Sequence, residues 1–277
     1  MMNGEFRLIG IEWERSYGLT SWRGFQVQRL EVELGQPGLS GGHLDEHARS
    51  YLTSAELKVL ENISSPKRRR EWVGGRIAAK AMIIDHLWAG QPGAPVGTDL
   101  ELLPDPHGRP IVALRRGVEP PCPIPEISIS HTRELAVVAL LQAAAGASLG
   151  VDIELIAERS PGFVKRVLTA TELPHVEGRD DGAVQLALRW SLKEAAAKAI
   201  GMGFDELAPH EIEVTSLAAD GTAELRFFGR AADRHARLGC NGLAARAVVH
   251  RGHSLAEVVI GKEARPPRSW RRPEPCR

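Results

Sequence analysis

Apolar and polar residues alternate with a period of two along several short stretches. This predicts strands over residues 6–14, 25–34, 127–131, 135–142, 148–155, 211–217, 223–228, 243–250 and 255–260. A period near 3.6 predicts helices over 45–61, 66–88 and 184–200. The middle helix is sharply punctuated: Ser64 or Ser65 can cap it, Pro66 suits its first turn, and Gly90 follows its end. Its apolar face runs Val73, Ile77, Ala81, Ile84, Trp88. Strands interspersed with a few long helices indicate an α+β fold.

Parts of the pattern recur. Glu31-Val32-Glu33-Leu34 resembles Asp152-Ile153-Glu154-Leu155 at an offset of 121 residues. Leu52-Thr53 with Glu56-Leu57 recurs as Leu168-Thr169 with Glu172-Leu173 at an offset of 116. Trp72 and Ala78-Ala79-Lys80-Ala81 recur as Trp190 and Ala196-Ala197-Lys198-Ala199 at an offset of 118. Three matches in one order at nearly one offset point to a duplication, with a junction near Gly146. The expectation is two similar α+β subdomains, 1–146 and 147–262, facing each other, followed by a disordered Arg/Pro-rich tail over 263–277. Aligning Trp72 with Trp190 sets Arg76 opposite Glu194, so an interface between the halves would hold an acidic and a basic site together.

Composition narrows the class. The 277 residues are 43% hydrophobic and 25% charged, ordinary for a soluble globular protein. Lys+Arg and Asp+Glu balance at 35 each, so affinity for anions must come from local clusters rather than bulk charge. The three cysteines, Cys122, Cys240 and Cys276, have neither disulfide-framework nor zinc spacing, which fits a reducing cytoplasm. The start of the chain does not read as a signal peptide, and no apolar run reaches membrane-spanning length.

Period two places Asp152 and Glu154 on one face of a strand, with Val151 and Ile153 on the other. Two carboxylates so close repel each other unless a cation sits between them, and hard oxygen donors suit Mg²⁺. Taken in isolation, Asp-x-Glu reads more readily as a solvated acidic face on an edge strand. Glu194 and Lys198 lie one turn apart on one helix face, either as a third ligand or base beside a phosphate-binding lysine, or as a surface ion pair. Ser128-Ile129-Ser130-His131 ends a strand with groups that can donate to phosphate oxygens; neighbours on a strand point to opposite faces, so Ser130 and His131 are poorly placed as a nucleophile–base dyad. The turn from Pro104 to Pro110 can present Arg109, and Lys67-Arg68-Arg69-Arg70 puts cations in a first helical turn, against the helix dipole.

Together these segments resemble the 4′-phosphopantetheinyl transferases of the large, surfactin-synthetase-associated, pseudo-dimeric type. The carrying motifs are Gly75-Arg76 with Ala79-Lys80, Gly108-Arg109-Pro110, Ser128-Ile129-Ser130-His131, Gly150-Val151-Asp152-Ile153-Glu154, and Trp190-Ser191 with Lys193-Glu194-Ala195 and Lys198. The resemblance implies two α+β halves related by a pseudo-twofold, with the active site in the cleft between them. It implies Asp152, Glu154 and Glu194 as ligands of Mg²⁺ (or Mn²⁺), with Glu194 and Lys198 catalytic. Lys193, Lys198, Ser130 and His131 would meet phosphates of coenzyme A, with Arg76, Arg68 and Arg109 around its 3′-phosphoadenosine end. The implied activity is transfer of 4′-phosphopantetheine from coenzyme A to a serine of an acyl or peptidyl carrier protein by a cytoplasmic monomer, with no part for nucleic acid or membrane. Phe163, Lys165 and Arg166 are the candidate carrier contacts. Thr132 stands where the family commonly has serine, and Arg109 where it commonly has lysine. A Mg²⁺-dependent nuclease or phosphohydrolase would use the same carboxylates but leaves the duplication and Ser130-His131 without a purpose. A non-catalytic carrier-binding module would not need the complete set of ligands.

Overall fold

The computed structural model describes residues 6–8, 11–13, 20–22, 25–35, 39, 41–141, 146–240 and 242–262; the expected tail lies outside these. The chain divides into two compact units, one centred on Gln26–Gln142 and the other on Ala143–Arg265. Two short strands come first, β1 (Phe6–Leu8) and β2 (Ile11–Trp13), followed by β3 (Thr20–Trp22). The alternation over 6–14 therefore belongs to an antiparallel pair, Phe6 opposite Trp13, and not to one strand. Periodicity alone does not reveal the reversal, because both arms alternate.

The first unit continues with β4 (Phe25–Glu33), α1 (Gly41–Tyr51), α2 (Ser54–Glu61), α3 (Pro66–Trp88), β5 (Leu100–Pro104), β6 (Pro110–Leu114), β7 (Glu126–His131) and β8 (Leu135–Leu141). The helix expected over 45–61 is broken in two. Thr53 is an extended N-cap whose hydroxyl accepts from the Glu56 N–H while the Glu56 carboxylate accepts from the Thr53 N–H, a reciprocal cap that starts α2 afresh. The sheet runs in the order β3-β4-β8-β7, and α3 packs against β8 and β7. Ser65 accepts from the Arg68 N–H and Pro66 opens α3, as the punctuation predicts. A core of Leu30, Val32, Val73, Ile77, Ile83, Leu87, Val138 and Leu140 lies between sheet and helix.

The second unit is built from β9 (Ser148–Leu155), α4 (Pro161–Val167), α5 (Gly182–Ile200), β10 (Ile212–Leu217), β11 (Thr222–Phe227), α6 (Gly229–Arg237), β12 (Gly242–His250) and β13 (His253–Gly261). Its sheet order is β10-β11-β12-β13-β9, with β9 antiparallel to β13 in a register that sets Asp152 opposite Ala256 and Glu154 opposite Ser254. Helix α5 lies on β9 and β13. Gly201 ends it at φ 70° in the left-handed region, where glycine carries no Cβ penalty. Each unit thus follows one plan: a strand, short helices, a long helix, an antiparallel strand pair, then a hairpin whose last strand pairs with the first.

The two units each hold a buried lysine–glutamate anchor. In the first unit the Lys80 ammonium donates to Glu56 (2.5 Å) and to the Tyr51 carbonyl, and Glu56 also accepts from the N–H groups of Thr53 and Leu102. In the second the Lys193 ammonium donates to Glu172 (2.6 Å) and to the Val167 carbonyl, and Glu172 accepts from the N–H groups of Thr169 and Val214. Glu56 and Glu172 stand 116 residues apart, as the Thr-x-x-Glu repeat predicts, but Lys80 and Lys193 stand 113 apart. The long helices therefore align through Lys193, not Lys198. Arg76 falls opposite Arg189, and Glu194 opposite Ala81. The expected exchange of Arg76 for Glu194 is corrected by this register: the Ala-rich turns matched five residues out of place.

Candidate active site

Strand β9 and helix α5 bring the second unit's acidic residues together. They approach closely because residue 150 is glycine: a Cβ there would lie 1.8 Å from the Ala195 carbonyl oxygen. Asp152 is buried, and its Oδ1 accepts from the Lys198 ammonium at 2.8 Å. Lys198 also donates to the Val151 carbonyl at 3.0 Å, so the turn from Glu194 to Lys198 is tied directly to β9. Glu154 Oε1 accepts from the Trp190 indole N–H at 3.0 Å, and its Oε2 faces the Arg159 guanidinium at 3.4 Å.

The electrostatics of this group are those of crowded negative charge. Burial pushes the Glu194 carboxyl up to about 7; Asp152 and, to a smaller extent, Glu154 add to the rise, while Lys198 opposes it. Glu154 is raised as well, first by burial and then by Asp152, against the indole hydrogen bond, Arg159 and Lys198. Among the described residues, no three His, Cys, Asp or Glu side chains stand close enough together to hold a metal ion as they are. The donor set nevertheless fits a hard divalent cation in kind: oxygen ligands only, on two adjacent elements, whose mutual repulsion a cation would relieve. Asp152, Glu154 and Glu194 are the residues that would hold it.

Lys193 does not belong to this group. Its side chain is fully buried, and it donates to Val167 O, Glu172 and, at 3.3 Å, Pro209 O. With three donors and three acceptors it has none left for a phosphate, and this corrects the role implied for it. A buried cation survives there because Glu172 pairs with it. Glu172 was legible only as the second half of a Thr-x-x-Glu repeat, the signature of a capping box. Its larger part as a lysine partner depends on burial, which spacing does not show.

In the first unit Arg76 is also buried, donating through Nε to the Leu102 carbonyl with its guanidinium over the Trp72 ring at 4.9 Å. Burial lowers its pKa against the attraction of Glu56. It stands within electrostatic reach of Glu56 and Lys80. Arg109 is paired with Glu126 at the edge of β7. Arg68 is exposed in the first turn of α3. Ser130 is buried, whereas His131 is exposed, as their opposite strand faces require. Nδ1 of His131 lies 3.6 Å from the buried Glu71 carboxylate, which also meets Lys67 at 3.4 Å.

Beside the acidic group, Glu154, Arg159, Phe163, Leu186 and Trp190 line a small open pocket. Trp190 stacks on Phe204 (5.1 Å, 22°) and meets Phe163 edge-on (5.6 Å, 77°). Lys165 and Arg166 are exposed on α4, and the Arg166 guanidinium lies over the Phe163 ring. No helix among the described residues is long and apolar enough to cross a membrane.

Residues 148–256, within the second unit, match the family described as the 4′-phosphopantetheinyl transferase superfamily. The chain is 34% identical over 99 residues to a holo-[acyl-carrier-protein] synthase of Maridesulfovibrio salexigens, covering 35% of this chain and 77% of that protein. It is 36% identical over 110 residues to one from Yersinia enterocolitica, covering 39% of this chain and 86% of that protein. Among solved structures it is similar to a holo-(acyl-carrier-protein) synthase from Bacillus anthracis in complex with coenzyme A (3′,5′-ADP). That match has 26% identity and a TM-score of 0.33, covering 42% of this chain and 92% of that one.

Proposed function

Since the chain belongs to the 4′-phosphopantetheinyl transferase superfamily and is an enzyme of that class, we propose that it moves 4′-phosphopantetheine from coenzyme A to the serine hydroxyl of an apo carrier protein, releasing 3′,5′-ADP. The observation that carries the reading is the acidic group of β9 and α5: Gly150 lets the two elements meet, Asp152 accepts from the Lys198 ammonium, and Glu194 stands one helical turn before Lys198.

Glu194 accepts the proton of the carrier serine, directly or through a water. The serine oxygen forms a bond to the phosphorus next to the pantetheine arm, and the bond from that phosphorus to the oxygen bridging the two phosphates breaks. The departing 3′,5′-ADP carries the negative charge away. Lys198, held between Asp152 and the Val151 carbonyl, places an ammonium where that charge develops. Asp152, Glu154 and Glu194 are the proposed ligands of a Mg²⁺ ion, which when bound supplies neutralisation of the pyrophosphate. Arg68, Ser130 and His131 keep the proposed part of phosphate contacts, with Glu71 orienting His131. Arg76 and Arg109 keep the proposed place near the 3′-phosphoadenosine end, and Lys193 is assigned to the buried anchor with Glu172 instead.

The exposed Lys165 and Arg166, with Phe163 between cations, form the proposed carrier contact on α4, suited to an acidic partner. Placement in the large, surfactin-synthetase-associated type is supported by the element order and the Lys–Glu anchor common to both units. The deciding experiment is mass spectrometry of apo acyl and peptidyl carrier proteins incubated with the chain, coenzyme A and Mg²⁺. A gain of one phosphopantetheine is expected; its absence from every carrier, or release of free phosphopantetheine, overturns the reading.

A further inference from the structure

Trp190 is the fourth residue before Glu194 on α5, so the two share a helix face and sit one turn apart. Its indole N–H is the ring's single polar group and can only donate. That donor is spent on Glu154 Oε1 at 3.0 Å, across from helix to strand. The ring is stacked on Phe204 and held edge-on by Phe163, so the direction of the N–H is set by packing on two sides. Glu154 has a second partner, but Arg159 is a long side chain, 41% exposed, at 3.4 Å from Oε2. An exposed guanidinium at that distance fixes little.

We propose that Trp190 is a positioning residue for Glu154: the packed indole N–H orients the carboxylate and fixes its separation from Glu194, leaving Oε2 to turn toward a cation. The inference rests on the reading of Glu154 as a metal ligand. Its physical content is that a ligating carboxylate flexes unless a second group holds it, and that loss of such an outer partner weakens metal binding.

The test uses the full chain and Mn²⁺ as probe, with free Mn²⁺ followed by electron paramagnetic resonance. Trp190→Phe keeps an aromatic ring between Phe163 and Phe204 and removes the donor. The Mn²⁺ Kd should rise about tenfold, while kcat at saturating metal stays within about twofold of the parent. In a Glu154→Ala background the same change should weaken Mn²⁺ binding no further, because the carboxylate that the indole N–H holds is already gone. An unchanged Kd in Trp190→Phe, or equal weakening in both backgrounds, overturns the proposal. If Trp190→Phe does not fold, Trp190→benzothienylalanine, with sulfur in place of the N–H on the same ring system, is measured against the same two outcomes. Wild-type chain that binds no Mn²⁺ overturns the underlying ligand reading as well, and is thereby distinct from failure of the tryptophan's role alone.

Discussion

Gly150 faces Ala195 so closely that strand β9 and helix α5 meet backbone to side-chain-free backbone: a Cβ at 150 would lie 1.8 Å from the Ala195 carbonyl oxygen and 2.8 Å from the Ala199 nitrogen. A backbone obstacle cannot rotate away as a side chain can, so the helix itself would have to move. Gly150→Ala should therefore cost about 3 kcal/mol or more of stability, at the upper end of overpacking changes. It should also abolish transfer by drawing Glu194 and Lys198 away from Asp152. Denaturant unfolding and carrier mass analysis check this; a variant with parental midpoint and activity shows that the approach is not tight.

Lys193 separates two assignments. As the buried partner of Glu172, its replacement in Lys193→Met leaves a buried carboxylate unpaired, at a cost of about 3–5 kcal/mol. The coenzyme A KM of the protein that remains folded should be unchanged. A raised coenzyme A KM with unaltered stability would instead restore Lys193 as a phosphate contact. Glu56→Gln should show the same kind of loss in the first unit, since Lys80 is equally buried.

Glu194 makes the metal-free protein sensitive to pH. Its carboxyl is raised from an ordinary 4.5 to about 7, so between those values the folded chain holds a proton that the unfolded chain has lost. Stability from this group is present below 4.5 and falls as pH rises to about 7. Glu194→Gln, neutral throughout, should raise the thermal midpoint in EDTA at pH 8 relative to the parent. The gain should shrink at acid pH, where the parent carboxyl is itself protonated. The same variant should lose transfer. An equal midpoint difference at both pH values would show that Glu194 does not titrate in this window.

The carrier contact is tested by reversing charge. Lys165→Glu/Arg166→Glu should raise the carrier KM about tenfold while leaving kcat and the coenzyme A KM near parental values. Both side chains are exposed, so the fold should be unaffected. Steady-state kinetics with one carrier protein decide the matter, and an unaltered carrier KM rejects the surface.

Much of this molecule is local in origin and was legible as such. Ser65, Pro66 and the apolar face through Val73 and Ile77 predict α3 to the residue. Period two places Asp152 and Glu154 together on β9. The motif order from Gly150 to Lys198 carries the family resemblance, and the family match falls on the same unit. Each of these signals lives within a few residues, where sterics, capping and alternation act. The tertiary structure decided the rest. It divided the expected helix at Thr53, whose reciprocal cap with Glu56 also binds Lys80. It withdrew Lys193 from the ligand set, and it shifted the alignment of the two units by five residues. Sequence offers a lysine as a cation in either case. Whether such a cation faces a ligand or a buried carboxylate depends on which residues distant in the chain pack over it, and only the folded core sets that.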